Sequence, residues 1–186
     1  MSEPKTGRVR AARLDPVTRR DLIIDAAETL LGEHDPLLVT FSHVAEAAGV
    51  SRPLVHTYLG DHRGLVDAVQ VRMITRLDRW VNHGLKRVAS PFETWRALVY
   101  GVFSFVENEQ DAWSVLVSTG GLDHPSLHGL RKRWTQAIGL TEDQQMELAS
   151  QAAIAALLLG AGGWVTRGVD PDEFIAVMNP TVSFTV

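Results

Sequence analysis

The stretch TFSHVAEAAGVSRPLVHTYL, residues Thr40 to Leu59, decides the fold. Val44, Ala45 and Ala48 fall at i, i+1 and i+4, which gives a short helix one apolar stripe, and Thr40 is placed to cap its start with a hydroxyl. Gly49 ends it, because glycine takes the left-handed backbone that stops a helix without steric cost, and Val50 then turns back toward the core. Ser51 is placed as the N-cap of a second helix. Pro53 costs little in that helix's first turn, where its missing N–H would have no partner anyway. Leu54, Val55 and Leu59 supply burial, leaving Ser51, Arg52, His56 and Tyr58 to face outward. Two short helices about a tight turn, the second polar on its open side, are the outline of a helix-turn-helix.

Upstream, Leu22, Ile23, Ala26, Ala27, Leu30 and Leu31 recur as adjacent pairs four residues apart, an amphipathic helix from Val17 that Pro36 closes. It supplies the third wall of a small domain with Leu22, Ala26, Leu30, Val44 and Val55 in its core. Downstream, Gly60-Asp61 caps a helix reaching about Ala89, with Leu65, Val66, Val69, Met73, Leu77, Trp80 and Val81 on its buried side. Further helices are expected from Pro91 (Trp95, Leu98, Val99, Val102, Phe103, Val106), over Asp111–Ser118 and over Asp123–Ile138. Thr141 and Gln144 make a capping box for a helix rich in small residues through Gly163, and Asp170–Met178 forms a last short one. Gly120-Gly121 reads as a loop, and the tail after Asn179 has no assignment. With no alternating stretch long enough for a central strand, the fold class is all-α: an arm over residues 1–16, a three-helix helix-turn-helix domain over 17–64, and a helical effector-binding and dimerisation domain over 65–186.

The charge is unevenly spread along 186 residues of formal net charge −4. Residues 1–20 hold six Lys/Arg against two acids, and residues 91–186 hold five against eleven, so a phosphate-binding footprint belongs at one end only. The arm either does nothing or follows DNA. The absence of cysteine excludes disulfides and thiolate metal sites. The basic N-terminus lacks a following apolar run, so no signal peptide is expected. The run Ala152–Val165 falls short of the roughly 20 apolar residues a spanning helix needs, so no membrane partner is expected. These features suit a cytoplasmic protein.

The run from Leu22 to Val69 resembles the DNA-binding domain of the TetR (tetracycline-repressor-like) family. The resemblance rests on the Ala26-Ala27 pair with following leucines, Thr40, Val44-Ala45, Ala48-Gly49-Val50-Ser51, Tyr58-Leu59 and Leu65, and it covers about a quarter of the chain. It implies a dimeric transcriptional regulator, usually a repressor, that a small molecule releases from its operator. Three positions depart from the family's usual residues: His56 stands for Tyr, Leu59 for Phe, and His62 for a phosphate-binding Lys. A lysine is fully charged at neutral pH and histidine mostly is not, so a weaker or pH-sensitive contact is expected at His62, with Arg63 as a substitute.

A recognition helix sets its N-terminal residues against base edges. Arg52 is placed to pair with guanine O6 and N7, Pro53 to touch a thymine methyl, and His56 to reach a base one turn on. Thr40, Ser42, Tyr58 and His62 are placed for phosphates and Ser51 completes the DNA-binding set, although Tyr58 can equally pack inward and His56 can equally be a solvated surface residue. The expected partners are a double-stranded DNA operator, an unknown small-molecule effector and a second copy of the chain.

For the effector, Met73, Trp95, Tyr100, Phe103, Trp113, His124, His128 and Trp134 are pocket candidates, against the reading that aromatics at helical spacing are core. Ala152, Ala156, Leu159, Gly160, Gly163, Trp164 and Phe174 are candidates for the dimer interface. Arg131-Lys132-Arg133 reads as a solvated face rather than a second DNA site. His124 and His128 have the spacing of half a metal site, but Pro125 intervenes and no third ligand is near, so neither metal nor cofactor is expected. No nucleophile elbow, P-loop, dinucleotide fingerprint or His-Glu-x-x-His is present, which disfavours an enzyme. The alternative to the regulator is a ligand-binding or interaction homodimer whose helix-turn-helix no longer binds DNA.

Overall fold

A computed structural model describes residues 15–138 apart from 87 and 89, and residues 144–178 apart from the side chains of 144–146. Every regular element among them is helical: α1 (Pro16–Glu33), a 3-10 turn (Pro36–Leu38), α2 (Phe41–Ala47), α3 (Arg52–Leu59), α4 (His62–Leu85), α5 (Pro91–Asn108), α6 (Gln110–Ser118), a second 3-10 turn (Gly121–Asp123), α7 (Pro125–Ile138), α8 (Gln144–Thr166) and α9 (Pro171–Met178). The Thr141 capping residue, the arm before Asp15 and the tail lie outside the described residues.

The helix starts are chemically marked. Asp15 accepts from the backbone N–H groups of Val17 and Thr18, Ser90 from that of Glu93, and Asp61 from that of Gly64, each satisfying donors that have no partner inside the helix. Thr40 and His43 form a reciprocal box: the Thr40 hydroxyl accepts from the His43 N–H at 3.3 Å while the Thr40 N–H donates to His43 Nδ1 at 3.4 Å.

α1 lies against α2, α4 and α6 at once, so its buried arc is broader and rotated relative to the stripe read from sequence. Ile23, Ile24, Ala27 and Leu31 are buried, while Leu22 sits at the edge and is exposed. Leu22 therefore leaves the expected core and Ile24 enters it. Below this, α4 runs for 24 residues, its first turns closing the helix-turn-helix through Leu65 and Val69 and its later turns packing on α5 through Leu77 and Val81. The α4–α5 approach is so close that a Cβ on Gly101 would stand 2.7 Å from the Val81 Cα, which only glycine avoids. One continuous apolar core joins the two regions, from Ile23 to Ile175.

The apolar span of α8 is longer than the Ala152–Val165 run, so the expectation that it falls short of a bilayer's width is corrected. Glu147–Thr166 spans 20 residues with mean hydropathy 1.6, long and apolar enough by those measures to cross a bilayer. In this fold one side of it, with Ala153, Ile154, Leu157, Leu158 and Ala161, is a buried wall of the bundle against α5 and α7.

Candidate nucleic-acid interface and effector domain

The turn between α2 and α3 is fixed by two hydrogen bonds that close the end of α2: Val50 N–H donates to the Ala45 carbonyl at 2.9 Å and Gly49 N–H to that of Glu46 at 3.1 Å, with Gly49 at φ +64°. This places α3 with Val55 and Leu59 buried and Arg52, Pro53, His56 and Thr57 exposed along its other side. Ser51 stands at the N-cap but its hydroxyl makes no capping bond and is exposed, contrary to the simple cap reading, because Pro53 has no N–H to give and the Leu54 N–H is taken by the Ser51 carbonyl. The first turn of α3 thus presents a free hydroxyl, a guanidinium and a proline ring to solvent.

The two histidines that stand in unusual places have local partners. The His56 ring meets the Phe41 ring edge-on at 4.7 Å between centroids, so one side of it braces α3 on α2 while the residue remains exposed. His62, in the first turn of α4, has Nε2 3.1 Å from the Pro36 carbonyl, where the ring N–H donates. Its interaction is thus with the turn after α1, and the adjacent Arg63 stands exposed. Thr40 and Ser42 are exposed at the start of α2, whereas Tyr58 is half-buried and packs against the core.

The pocket candidates do not all come together. Met73, Trp95, Phe103, Trp113 and Trp134 are buried, but Trp113 lies along a separate cleft of about 650 Å³ between α6 and α8. Tyr100 is on the outer side of α5, donating its hydroxyl to Asp172 at 2.8 Å under the Arg96 guanidinium and lining, with Trp80 and His83, a groove of about 510 Å³. Hydrogen bonding to the Asp172 carboxylate, with some burial, raises the Tyr100 pKa above the ordinary phenol value.

His124 is a strut: its Nδ1 accepts the Ser126 N–H at 3.1 Å, which leaves the proton on Nε2 to be donated to Asp67 of α4 at 3.0 Å. It joins α4 to the start of α7, while His128 points to solvent.

Sequence reasoning passed over the charged junction between α1, α4 and α6. Arg76 pairs with Glu28 of α1 and with Glu109 at the start of α6, and Arg72 reaches Asp25 and Glu28. Burial alone would lower the Arg76 pKa, but the hydrogen bonds and charges of Glu28 and Glu109 outweigh it and raise the value. The signal was present as arginines placed four apart on an apolar helix, Arg72 and Arg76, with acids on the neighbouring helix. Nearby, buried Gln70 donates to the Thr119 carbonyl at 2.8 Å, so α4 is fastened to α6 as well.

On α8, Leu148, Ala152, Leu159 and Gly163 are exposed, with Ala156 and Gly160 half-buried at the flank, and Val177 of α9 is exposed at 73%. Spaced four, seven and four residues apart, the first four form one apolar stripe. Phe174 is not on it. It packs inside its own bundle against Trp164 at 4.6 Å, and Trp95 and Phe103 lie just beyond. Trp164 is likewise turned inward onto Phe103.

Residues 23–69 match the family model described as bacterial regulatory proteins, tetR family. The HTH-type transcriptional regulator BetI of Brucella canis is 34% identical over 103 residues, covering 54% of this chain and 52% of that protein. BetI of Rhizobium meliloti is 32% identical over 118 residues, covering 62% and 55%. The chain spans about half the length of the curated relatives it matches. Over nearly the full length, the crystal structure of a TetR-like transcriptional regulator from Rhodococcus sp. RHA1 superposes with a TM-score of 0.68, covering 92% of this chain and 97% of that one. At 21% identity that likeness shows the fold.

Proposed function

We propose that the chain, whose residues 23–69 match the family model described as bacterial regulatory proteins, tetR family, is a cytoplasmic, homodimeric transcriptional repressor of that family that a small molecule releases from a palindromic operator. The observation that carries the reading is the exposed ridge Arg52-Pro53-His56 on α3, held on a closed three-helix core by the Gly49 turn. Such a ridge fits a major groove. Arg52 supplies a bidentate donor for guanine, and the open Ser51 hydroxyl, Thr40 and Ser42 supply phosphate contacts. Arg63 takes the phosphate role that the His62–Pro36 bond denies to His62.

The functional division falls near residue 64, with 17–64 reading DNA and 65–186 sensing and pairing. Two copies join through the apolar stripe of α8 and the exposed side of α9, the bare Ala152 and Gly163 permitting close approach about a two-fold axis. That pairing sets the spacing of the two α3 helices. The effector acts by favouring a bundle in which the spacing no longer matches successive grooves.

Selection of bound DNA from a random pool tests this directly. Two-fold symmetric half-sites and steeply salt-dependent binding are expected. Arg52→Ala should weaken the selected site by about 10- to 100-fold, the worth of one bidentate base contact, and relax the guanine preference. A pool that never enriches, or an Arg52→Ala protein with unchanged affinity and preference, refutes the proposal.

A further inference from the structure

The interior of the effector domain holds polar atoms with nothing to bond. Trp95 Nε1 on α5, Trp134 Nε1 on α7 and Ser150 Oγ on α8 find no hydrogen-bond partner among the described residues, although these side chains are 0%, 2% and 0% exposed. Buried donors are nearly always satisfied, because stripping water from them without replacement is costly. Three orphans on three neighbouring helices are therefore a reason to look for what completes them.

They lie at one end of the domain. α7 ends at Ile138 and α8 begins at Gln144, and the two helices pack together, so Trp134 near one terminus and Ser150 near the other stand level. Trp95 follows Thr94 in the opening turns of α5, and Thr94 shares a cleft of about 330 Å³ with Ala137 and Ile138 of α7 and with Leu85 from the far end of α4. That cleft opens over the same end of the bundle, opposite the helix-turn-helix.

We propose that Trp95, Trp134 and Ser150 are the polar anchors of the effector site, entered through this cleft, and that it takes an uncharged, mainly apolar molecule carrying a carbonyl or ether oxygen. The proposal rests on the effector reading above and adds the ligand's chemistry to it. Indole N–H groups only donate, so their partner must accept. The neighbouring hydroxyls of Thr94 and Thr135 are already committed to the Ser90 and Arg131 carbonyls of their own helices. The buried polar side chains among the described residues are Gln70, Thr94, Thr135 and Ser150, none of them charged, so an ionic ligand would enter without a counter-charge. Asp78 Oδ1, a fourth orphan, belongs to a carboxylate whose other oxygen accepts from Arg133 on the domain's flank, so it adds no net charge to the interior.

The test uses the full chain with 15N-labelled tryptophan indoles, titrated with acetophenone, with ethylbenzene as the comparator lacking an acceptor, and with phenyltrimethylammonium as the cationic one. Acetophenone should move the Trp95 and Trp134 indole signals, leave those of Trp80, Trp113 and Trp164 in place, and bind at least about tenfold more tightly than ethylbenzene. Trp134→Phe and Ser150→Ala should each narrow that gap, whereas general loosening of the fold would weaken both compounds alike. Equal binding of ethylbenzene, preference for the cation, or motionless Trp95 and Trp134 signals overturns the proposal. Affinity for a selected operator is followed in the same samples. Acetophenone bound as expected without any change in DNA affinity would sink the effector reading and leave the site standing. Release of DNA by another compound while both indoles stay still would do the reverse.

Discussion

Replacing Leu159 by lysine should separate the two copies of the chain while leaving each protomer's fold intact. Leu159 is 75% exposed in the protomer, so it contributes little to the internal core, and a lysine there stays in water when the chain is alone. In the proposed dimer the same side chain is covered, and full burial of a leucine is worth about 1.5–3 kcal/mol. Three quarters of that is about 1–2 kcal/mol, and two-fold symmetry counts it twice, so roughly 2–4 kcal/mol of association is lost before any cost of covering two ammonium groups. At about 1.4 kcal/mol per decade, the dimer dissociation constant rises by some 30- to 700-fold. Sedimentation velocity across a concentration series measures it, and circular dichroism of the monomeric fraction checks that helicity is retained. An unchanged dissociation constant would place the interface elsewhere and refute the reasoning; loss of helicity at every concentration would show that Leu159 belongs to the protomer's own core.

Three further outcomes follow from the packing and the caps. Gly101→Ala puts a methyl carbon 2.7 Å from the Val81 backbone, so α4 and α5 must separate, and urea unfolding should show a loss of about 1–3 kcal/mol. Arg76→Gln leaves Glu28 and Glu109, each about a quarter exposed, without their shared cation, and should cost about 1–3 kcal/mol by thermal denaturation, largely recovered in a Glu28→Gln/Arg76→Gln pair if the interaction is direct. At Asp15 the hydrogen bond from the Thr18 side chain, with those from the Thr18 and Val17 N–H groups, lowers the carboxyl pKa in the folded state. Its contribution is then complete above the unfolded value of about 3.9 and fades as pH falls through the lower folded one, so an Asp15→Asn chain should lose less stability than the parent between neutral pH and pH 3 in a melting series.

The fold was legible wherever one residue type has one use. Gly49 and Pro53 punctuate α2 and α3 because backbone geometry leaves no alternative, and the apolar periodicity of α4 and α5 marks faces that are buried. Leu22 and Phe174 were misplaced because a helix touching several neighbours buries a wider arc than a single stripe, and spacing alone does not tell which side faces its own bundle. Of the reading head, the exposure of Arg52 and Pro53 could be read directly; the ties from His62 to Pro36 and from His56 to Phe41 could not, since both depend on how separate segments meet. The same limit hid the Arg76 junction and the His124–Asp67 strut, which link residues 33 to 57 positions apart. That the Trp95 and Trp134 indoles find no hydrogen-bond partner among the described residues is likewise a property of the packed interior, invisible in a list of aromatic residues.

α4 has a mechanical consequence. Its 24 residues form one rod about 36 Å long at ~1.5 Å per residue. One tip is pinned to the turn after α1 by His62, and the other borders the cleft above the buried indoles. A rod of that length swung by about five degrees carries its tip some 3 Å, close to the ~3.4 Å that separates successive phosphates along a DNA strand axis. In the proposed regulator such a tilt would be geared: a rearrangement the size of one side chain's displacement would slip the reading head by a whole base pair.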